Sequence, residues 1–100
     1  MSARVLMYST PTCSYCLFAA RLLSKRGIAW EEVDLSGNPQ LRDDIASRIN
    51  YRKVPMIFID GRFIGGYQEL AALDLRGELK DILAEPPSPD ANSNSSTDRS

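Results

Sequence analysis

The chain has 100 residues, 43% of them hydrophobic, and a net charge of −1 at neutral pH. This length suits one small domain, and the near-neutral charge gives no electrostatic reason to expect a nucleic-acid partner. No apolar run approaches the roughly 20 residues that a membrane-spanning helix needs. The N-terminus has no secretory signal pattern, which predicts a cytoplasmic location. The protein is also expected to be mostly monomeric.

The first half of the chain predicts a strand, a helix and a second strand. Residues 4–9 are apolar on both faces, which is typical of a central strand covered on both sides. A helix is expected from about Cys13, with Thr12 as a candidate N-cap and Gly27 as the glycine just past its end. Residues 28–35 form the second predicted strand, and a strand, helix and strand in this order are expected to be parallel with a right-handed crossover.

The second half predicts a helix, a hairpin and a final helix. Asn38-Pro39 is a good helix opening, with Asn as the N-cap and Pro at the first helical position. Residues 55–60 and 62–65 predict two strands joined by a short turn, hence antiparallel. The last helix is expected over residues 69–84, bent near Gly77. The order β-α-β-α-β-β-α therefore predicts an α/β fold, with a four-stranded mixed sheet flanked by helices.

The sequence also separates a core-forming part from a tail. Residues 1–85 are predicted to form the domain, and residues 86–100, with Ala91 as their only hydrophobic residue, a disordered tail. On the second helix, the intervals of four between Leu41, Ile45 and Ile49 predict the buried face. Five aromatic side chains are expected in the core or partly buried: Tyr8, Phe18, Trp30, Phe58 and Phe63.

Both cysteines of the chain, Cys13 and Cys16, lie where the first predicted strand meets the first predicted helix. A spacing of three residues is about one helical turn, so the two thiols share a face. The first N–H groups of a helix lack partners and favour negative charge, which stabilises a thiolate at Cys13. This placement predicts a redox site. The alternative is half of a zinc site, which would need two more cysteines from a second chain.

Three motifs, taken together, resemble those of a dithiol glutaredoxin. They are Cys13-Ser-Tyr-Cys16, Val54-Pro55 before the third strand, and Ile64-Gly65-Gly66 after the hairpin. The resemblance covers about residues 3–84, and Tyr15 favours glutaredoxin over thioredoxin. It implies a thioredoxin-like fold and an enzyme that uses glutathione as cosubstrate to reduce protein disulfides and glutathionylated proteins.

The resemblance also implies roles for individual residues. Cys13 would be the nucleophile and Cys16 the resolving thiol. Pro55 would follow a cis peptide bond, and the backbone of Val54 would pair with the main chain of glutathione. The remaining implied glutathione contacts are Tyr15, Arg52, Lys53, Gly66, Tyr67 and Gln68.

The chain departs from the usual glutaredoxin pattern at a few positions. Thr10 stands where the family usually has Lys, so Arg52 and Lys53 are expected to supply the missing positive charge. Tyr67-Gln68 replaces a pair that usually ends in Asp, and Glu69 is the candidate to replace that acid.

Ser14 stands where the family usually has Pro, and this keeps a second function open. Some glutaredoxins with Ser at this position hold a [2Fe–2S] cluster between two chains. Such a cluster needs four thiolates, and Cys13 with one glutathione from each chain would supply them. The alternative function is therefore iron–sulfur transfer or sensing, with Cys13 as a metal ligand.

Overall fold

A four-stranded mixed sheet organises residues 4–84, the part of the chain that this computed structural model describes. The strands are β1 (Val5–Ser9), β2 (Trp30–Asp34), β3 (Met56–Ile59) and β4 (Arg62–Gly65). They are arranged in the order β2-β1-β3-β4, with β1 parallel to β2 and antiparallel to β3, and β3 antiparallel to β4. The predicted mixed sheet and hairpin are therefore confirmed. The predicted tail lies outside the described residues.

Four helices accompany the sheet: α1 (Ser14–Lys25), α2 (Pro39–Ile49), α3 (Tyr67–Leu75) and α4 (Glu78–Ala84). The prediction of one bent final helix is wrong, because Gly77 separates α3 from α4. Its φ of +77° lies in the left-handed region, which glycine adopts at little cost and which interrupts the helix. Within residues 4–84, no helix has the length and apolar character needed to span a membrane.

The helix openings differ in how well they follow the sequence. Asn38 caps α2 as predicted, since its Oδ1 accepts a hydrogen bond from the Leu41 N–H at 3.1 Å. The prediction that Thr12 caps α1 is wrong. Cys13 is the N-cap, and its Sγ accepts the Cys16 N–H at 3.1 Å. A thiol therefore takes the capping role that was expected of a hydroxyl one residue earlier.

The core forms on both faces of the sheet. The larger cluster joins the sheet to α1, α3 and α4, and the smaller one joins it to α2. The buried members of the first are Val5, Met7, Ala19, Leu23, Ile57, Ile59, Leu70 and Leu79. Those of the second are Leu35, Ala46 and Met56, with Leu41, Ile45 and Ile49 packed against them as the α2 pattern predicted. β1 contributes to both faces, as expected of a central strand.

Of the aromatic side chains predicted to lie in the core or to be partly buried, Phe18 is exposed. Its side chain is 41% accessible, whereas the other four pack against the two clusters: Tyr8, Trp30, Phe58 and Phe63. The reason is helical phase. The buried line of α1 runs through Cys16, Ala19 and Leu23, and a residue directly before Ala19 is rotated by about 100° from it.

Arg4 connects the start of β1 to the hairpin turn and to the end of α4. Its Nε and Nη2 donate to the two carboxylate oxygens of Asp60 at 2.9 and 2.7 Å. Nη1 and Nη2 also donate to the carbonyl oxygens of Leu83 and Ile82 at 3.0 and 3.2 Å. The hydrogen bonds from Arg4 lower the pKa of Asp60. This network fixes the last turn of α4 beside the sheet, away from the cysteines.

Candidate active site

The Cys13 thiol lies between the start of α1 and the segment that enters β3. Its Sγ accepts the Cys16 N–H at 3.1 Å and lies 3.5 Å from the Val54 carbonyl oxygen, to which the thiol can donate. Cys13 is half-buried, whereas Cys16 is only 4% exposed. A substrate sulfur can therefore approach Cys13, while protein atoms shield Cys16.

Burial also sets the protonation of Cys16. Burial, and then the hydrogen bond and charge of the neighbouring Cys13, raise the pKa of this thiol from the ordinary value of 9.0 to about 12, against a backbone hydrogen bond from Thr10 that lowers it. At neutral pH Cys16 is therefore a neutral thiol, which is a poor nucleophile. The two cysteines are chemically unequal in a way that their spacing alone does not reveal.

A groove of about 520 Å³ opens beside Cys13. Its walls come from the first turn of α1, the segment before β3 and the first turn of α3. The lining residues are Tyr15, Asn50, Tyr51, Arg52, Lys53, Val54, Pro55, Tyr67, Gln68 and Glu69. The Val54–Pro55 peptide bond is cis, as the resemblance implied. The groove thus brings together every predicted glutathione contact except Gly66.

Gly66 lies behind the groove wall, as the N-cap of α3. Its N–H donates to Glu69 Oε1 at 2.7 Å, which closes the first turn of the helix. A Cβ atom at this position would lie 2.6 Å from the Tyr51 hydroxyl oxygen, closer than real Cβ contacts come. Glycine is therefore needed for the close approach of Tyr51, so that Gly66 shapes the wall without lining it.

Two lining residues, Asn50 and Tyr51, were not predicted from the sequence. Asn50 ends α2 with a φ of 55°, a left-handed conformation that asparagine tolerates well, and an Asn after a helical pattern is a usable signal for it. Tyr51 packs on Phe63, with ring centroids 5.1 Å apart. Burial, and then the negative charge of Glu69, raise the pKa of Tyr51. Its place in the wall depends on tertiary packing and has no local sequence signal.

Some charged side chains of the groove are already engaged by neighbouring protein groups. Arg52 Nη1 lies 3.5 Å from Asp43 Oδ1, and both side chains are largely exposed. Lys53 is exposed at the same rim. Glu69 uses Oε1 to accept the Gly66 N–H, so one oxygen of the expected acid is already engaged. The rim carries positive charge, but in a well-solvated setting.

Three aromatic rings meet at one side of the groove. Tyr15 and Tyr67 stack with centroids 6.1 Å apart and planes at 28°. Phe18 contacts both, at 5.9 Å from Tyr15 and 5.8 Å from Tyr67. These ring contacts connect the start of α1 to the start of α3, the two helices that contribute to the groove walls.

Comparisons with known proteins agree with this geometry. The glutaredoxin family model matches residues 5–64. Glutaredoxin 3 of Escherichia coli K12 is 42% identical over 81 residues, which are 81% of this chain and 98% of that protein. These findings confirm the family that the three motifs indicated.

Solved structures confirm the thioredoxin-like fold. The holo form of glutaredoxin C1 from Populus tremula x tremuloides superposes with a TM-score of 0.78 at 32% identity, over 82% of this chain and 84% of that one. The dithiolic glutaredoxin 2-C-Grx1 of Trypanosoma brucei brucei gives 0.75 at 38% identity, over 81% and 87%. The chain therefore belongs to the glutaredoxin family of glutathione-dependent thiol–disulfide oxidoreductases.

Proposed function

We propose that Cys13 is the nucleophile and Cys16 the resolving thiol in the reduction of protein disulfides and glutathionylated proteins. The observation that supports these roles is the inequality of the two thiols. Cys13 is accessible and receives a backbone N–H that would stabilise a thiolate. Cys16 is buried, with a pKa of about 12. Only one of the two is suited to attack a substrate first.

The dithiol route reduces a protein disulfide in two exchanges. The Cys13 thiolate attacks one substrate sulfur, a Cys13–substrate bond forms, and the other substrate sulfur leaves as a thiolate. Cys16 then gives its proton to that thiolate or to water and attacks Cys13 Sγ. The substrate leaves with two more electrons than it brought, and the Cys13–Cys16 pair is oxidised. Two glutathione molecules reduce the pair and leave as glutathione disulfide.

The monothiol route removes glutathione from a protein and does not need Cys16. Cys13 attacks the glutathione sulfur of the mixed disulfide, and the protein cysteine leaves as a thiolate. The thiolate of a second glutathione attacks the glutathione sulfur held by Cys13. Glutathione disulfide departs, and Cys13 is restored.

We assign the groove beside Cys13 to glutathione. Its volume of about 520 Å³ is within the range of small-molecule sites. The Val54 backbone adjoins the Cys13 thiol, which would place a peptide-like ligand with its sulfur near Cys13. Arg52 and Lys53 would face a carboxylate of the ligand. The further proposed contacts are Tyr15, Pro55, Tyr67 and Gln68, with Gly66 supporting the γ-glutamyl end.

The roles of the two cysteines are tested with Cys16→Ser and Cys13→Ser. We expect Cys16→Ser to keep glutathione-dependent deglutathionylation of a peptide. It should fail to complete reduction of a protein disulfide in a single turnover without glutathione, and should accumulate the mixed disulfide instead. Cys13→Ser should lose both reactions. If a folded Cys16→Ser protein loses both, or Cys13→Ser retains either, the assignment is wrong.

The iron–sulfur alternative is a second proposal, favoured by the accessibility of Cys13. A [2Fe–2S] cluster takes four thiolates. Within residues 4–84, no group of three or more Cys, Asp, Glu or His side chains is placed to hold a metal ion. The cluster would therefore need Cys13 from two chains and two glutathione thiolates. Visible absorbance of a dimeric fraction after anaerobic purification with glutathione supports it, and a colourless monomer under those conditions refutes it.

We also propose the cytoplasm as the site of action. The chain has only two cysteines, three residues apart, and in a reducing compartment such a pair is more often catalytic than a structural disulfide. The proposed partners are glutathione and proteins that carry disulfides or glutathionylated cysteines, with the enzyme acting mostly as a monomer.

A further inference from the structure

An exposed apolar surface adjoins the redox site. Among residues 4–84, large hydrophobic side chains with high exposure are few: Tyr15 is 53% exposed, Leu17 50%, Phe18 41% and Leu75 88%. The first three lie in the opening turns of α1, directly after Cys13. Together with Tyr67, which stacks on Tyr15, they form what we call the apolar patch: Tyr15, Leu17, Phe18 and Tyr67.

The patch has a defined shape, because its rings hold one another. Tyr67 begins α3, and its contacts with Tyr15 and Phe18 join α3 to α1. Phe18 meets Tyr15 edge-on, at an interplanar angle of 84°. A surface in which rings fix each other loses little side-chain freedom when a partner covers it, which lowers the entropic cost of binding.

Neither the core nor the groove accounts for Leu17 and Phe18. They belong to neither hydrophobic cluster, and they do not line the groove, although Tyr15 and Tyr67 do. Single exposed apolar residues are ordinary. Three rings in mutual contact, with a further exposed leucine on the same opening turns of α1 beside an accessible thiol, are different, since grouped apolar surface marks sites of interaction.

The chemistry of Cys13 limits what can cover this patch. Whatever exchanges a disulfide with Cys13 is joined to it covalently for part of the reaction, and so lies over the surface around the thiol. When glutathione occupies the groove, the other half of a mixed disulfide must lie outside it. The patch continues outward from the groove wall through Tyr15 and Tyr67, and is therefore the adjoining surface.

The charges around the apolar patch also limit what kind of segment can bind there. Arg21 is exposed four residues after Leu17 on α1, and the first turn of α1 contains no acidic residue. Arg52 and Lys53 are exposed at the groove rim. The acidic Glu69 also lines the groove, but one of its oxygens accepts a backbone N–H, and Arg52 and Lys53 line the same groove. A neutral or acidic segment with large apolar side chains therefore fits better here than a basic one.

We propose that the apolar patch binds the polypeptide segment of a substrate protein, and that it selects cysteines flanked by large apolar side chains. This inference rests on the proposed role of Cys13 as the nucleophile. In deglutathionylation, Cys13 attacks the glutathione sulfur and the peptide cysteine leaves as a thiolate. Apolar side chains next to that cysteine pack on Leu17 and Phe18 while the three sulfur atoms align.

The test uses two synthetic peptides, each with one cysteine in a mixed disulfide with glutathione. In one peptide Leu and Phe flank the cysteine, and in the other Ser and Asn do. We expect kcat/KM for the apolar peptide to exceed that for the polar peptide by about five- to thirtyfold, the effect of covering two half-exposed apolar side chains. The double variant Leu17→Ser, Phe18→Ser should bring this ratio close to one.

Leu75→Ser is the control, since it removes a still more exposed leucine, 88% against 50% for Leu17, from the far end of α3. It should leave the ratio at the wild-type value. The mixed disulfide of glutathione with 2-mercaptoethanol separates the two hypotheses. If the wild type does not turn it over, the proposed function fails. If it does but the two peptides react equally, or the double variant keeps the preference, the patch is not a substrate surface.

A second copy of the chain could also cover the apolar patch. Sedimentation velocity at assay concentration distinguishes this self-association from binding of a substrate polypeptide. We expect the wild type and the double variant to sediment alike, as monomers. A wild-type dimer that the double variant abolishes would overturn the proposal, because the patch would then be an interface between copies.

Discussion

Replacement of Gly66 by alanine tests how the groove wall is built. The φ of −98° at this position suits alanine, so backbone strain is not the issue. The added Cβ would lie 2.6 Å from the Tyr51 hydroxyl oxygen, whereas ordinary contacts begin near 3.4 Å, so Tyr51 must move by roughly 0.8 Å. Its ring is held against Phe63. We expect Gly66→Ala to lower the free energy of unfolding by about 1–3 kcal/mol, the usual cost of overpacking.

The same variant should weaken glutathione binding, because the displaced Tyr51 lines the groove. Urea denaturation measures the stability, and the KM for glutathione measures the groove. Tyr51→Phe removes the atom that the new Cβ meets. In the Tyr51→Phe background, we therefore expect Gly66→Ala to cost less than about 0.5 kcal/mol, which a double-mutant cycle resolves.

Gly37→Ala provides the control for the substitution itself, since a Cβ there meets nothing within 4 Å. Its effect on stability and on KM should be small. The reasoning is refuted if Gly66→Ala costs as much in the Tyr51→Phe background as in the wild type. In that case the requirement for glycine does not come from Tyr51.

Three further predictions follow from charge. Arg52→Ala, Lys53→Ala should raise the KM for glutathione about two- to fivefold at low salt and less at high salt, because the pair is solvated. The free energy of unfolding of the reduced protein should fall between pH 9 and 12, by at most about 4 kcal/mol, because only the folded state keeps Cys16 protonated there. Asp60→Asn should destabilise the protein by about 1–3 kcal/mol near neutral pH, since it removes the charged partner of Arg4.

Each of these has a measurement that can contradict it. The double variant Lys25→Ala, Lys80→Ala makes the same charge change at other exposed positions. An equal rise in the KM for glutathione would show that Arg52 and Lys53 contribute only net charge and do not contact the ligand. For Cys16, urea denaturation at a series of alkaline pH values gives the dependence of the free energy of unfolding on pH. In Cys16→Ala most of this dependence should disappear. If the pH dependence is unchanged in Cys16→Ala, groups other than Cys16 cause it.

The Asp60 effect has its own pH signature. The pKa of this carboxyl is lowered in the folded state, so its stabilisation is complete above the ordinary value of 3.8 and disappears as the pH falls through the lowered value. The wild type and Asp60→Asn should therefore converge in stability in acid. A constant difference down to pH 2 would contradict the ion-pair explanation.

Local signals account for what the sequence predicted well. The Asn38-Pro39 opening of α2 and the short connection between β3 and β4 are decided by residues next to one another. The first strand and the Cys13–Cys16 spacing are of the same kind. The three motifs of the redox site lie far apart in the chain, and the order of strands in the sheet brings them together. The resemblance to glutaredoxins predicted this arrangement, which no local signal does.

The missed features depend on packing between distant elements. The sequence predicts a bend near Gly77, but whether a glycine bends a helix or ends it depends on its backbone conformation, and here the left-handed conformation separates α3 from α4. Tyr51 enters the groove wall because Gly66 leaves room for its hydroxyl. An aromatic residue such as Phe18 is expected in the core or partly buried, but the phase of α1 turns its side chain outward near Cys13. Single positions of this kind are set by the assembled fold.

The unequal roles of Cys13 and Cys16 are tested most directly by alkylation of the reduced protein. A substoichiometric amount of iodoacetamide at pH 7, followed by tandem mass spectrometry, assigns the label to one of the two cysteines. With a pKa of about 12, only about one Cys16 in 10⁵ is a thiolate at this pH, and its side chain is 4% exposed. The account predicts that nearly all of the first label is on Cys13. Equal labelling, or preferential labelling of Cys16, would contradict it.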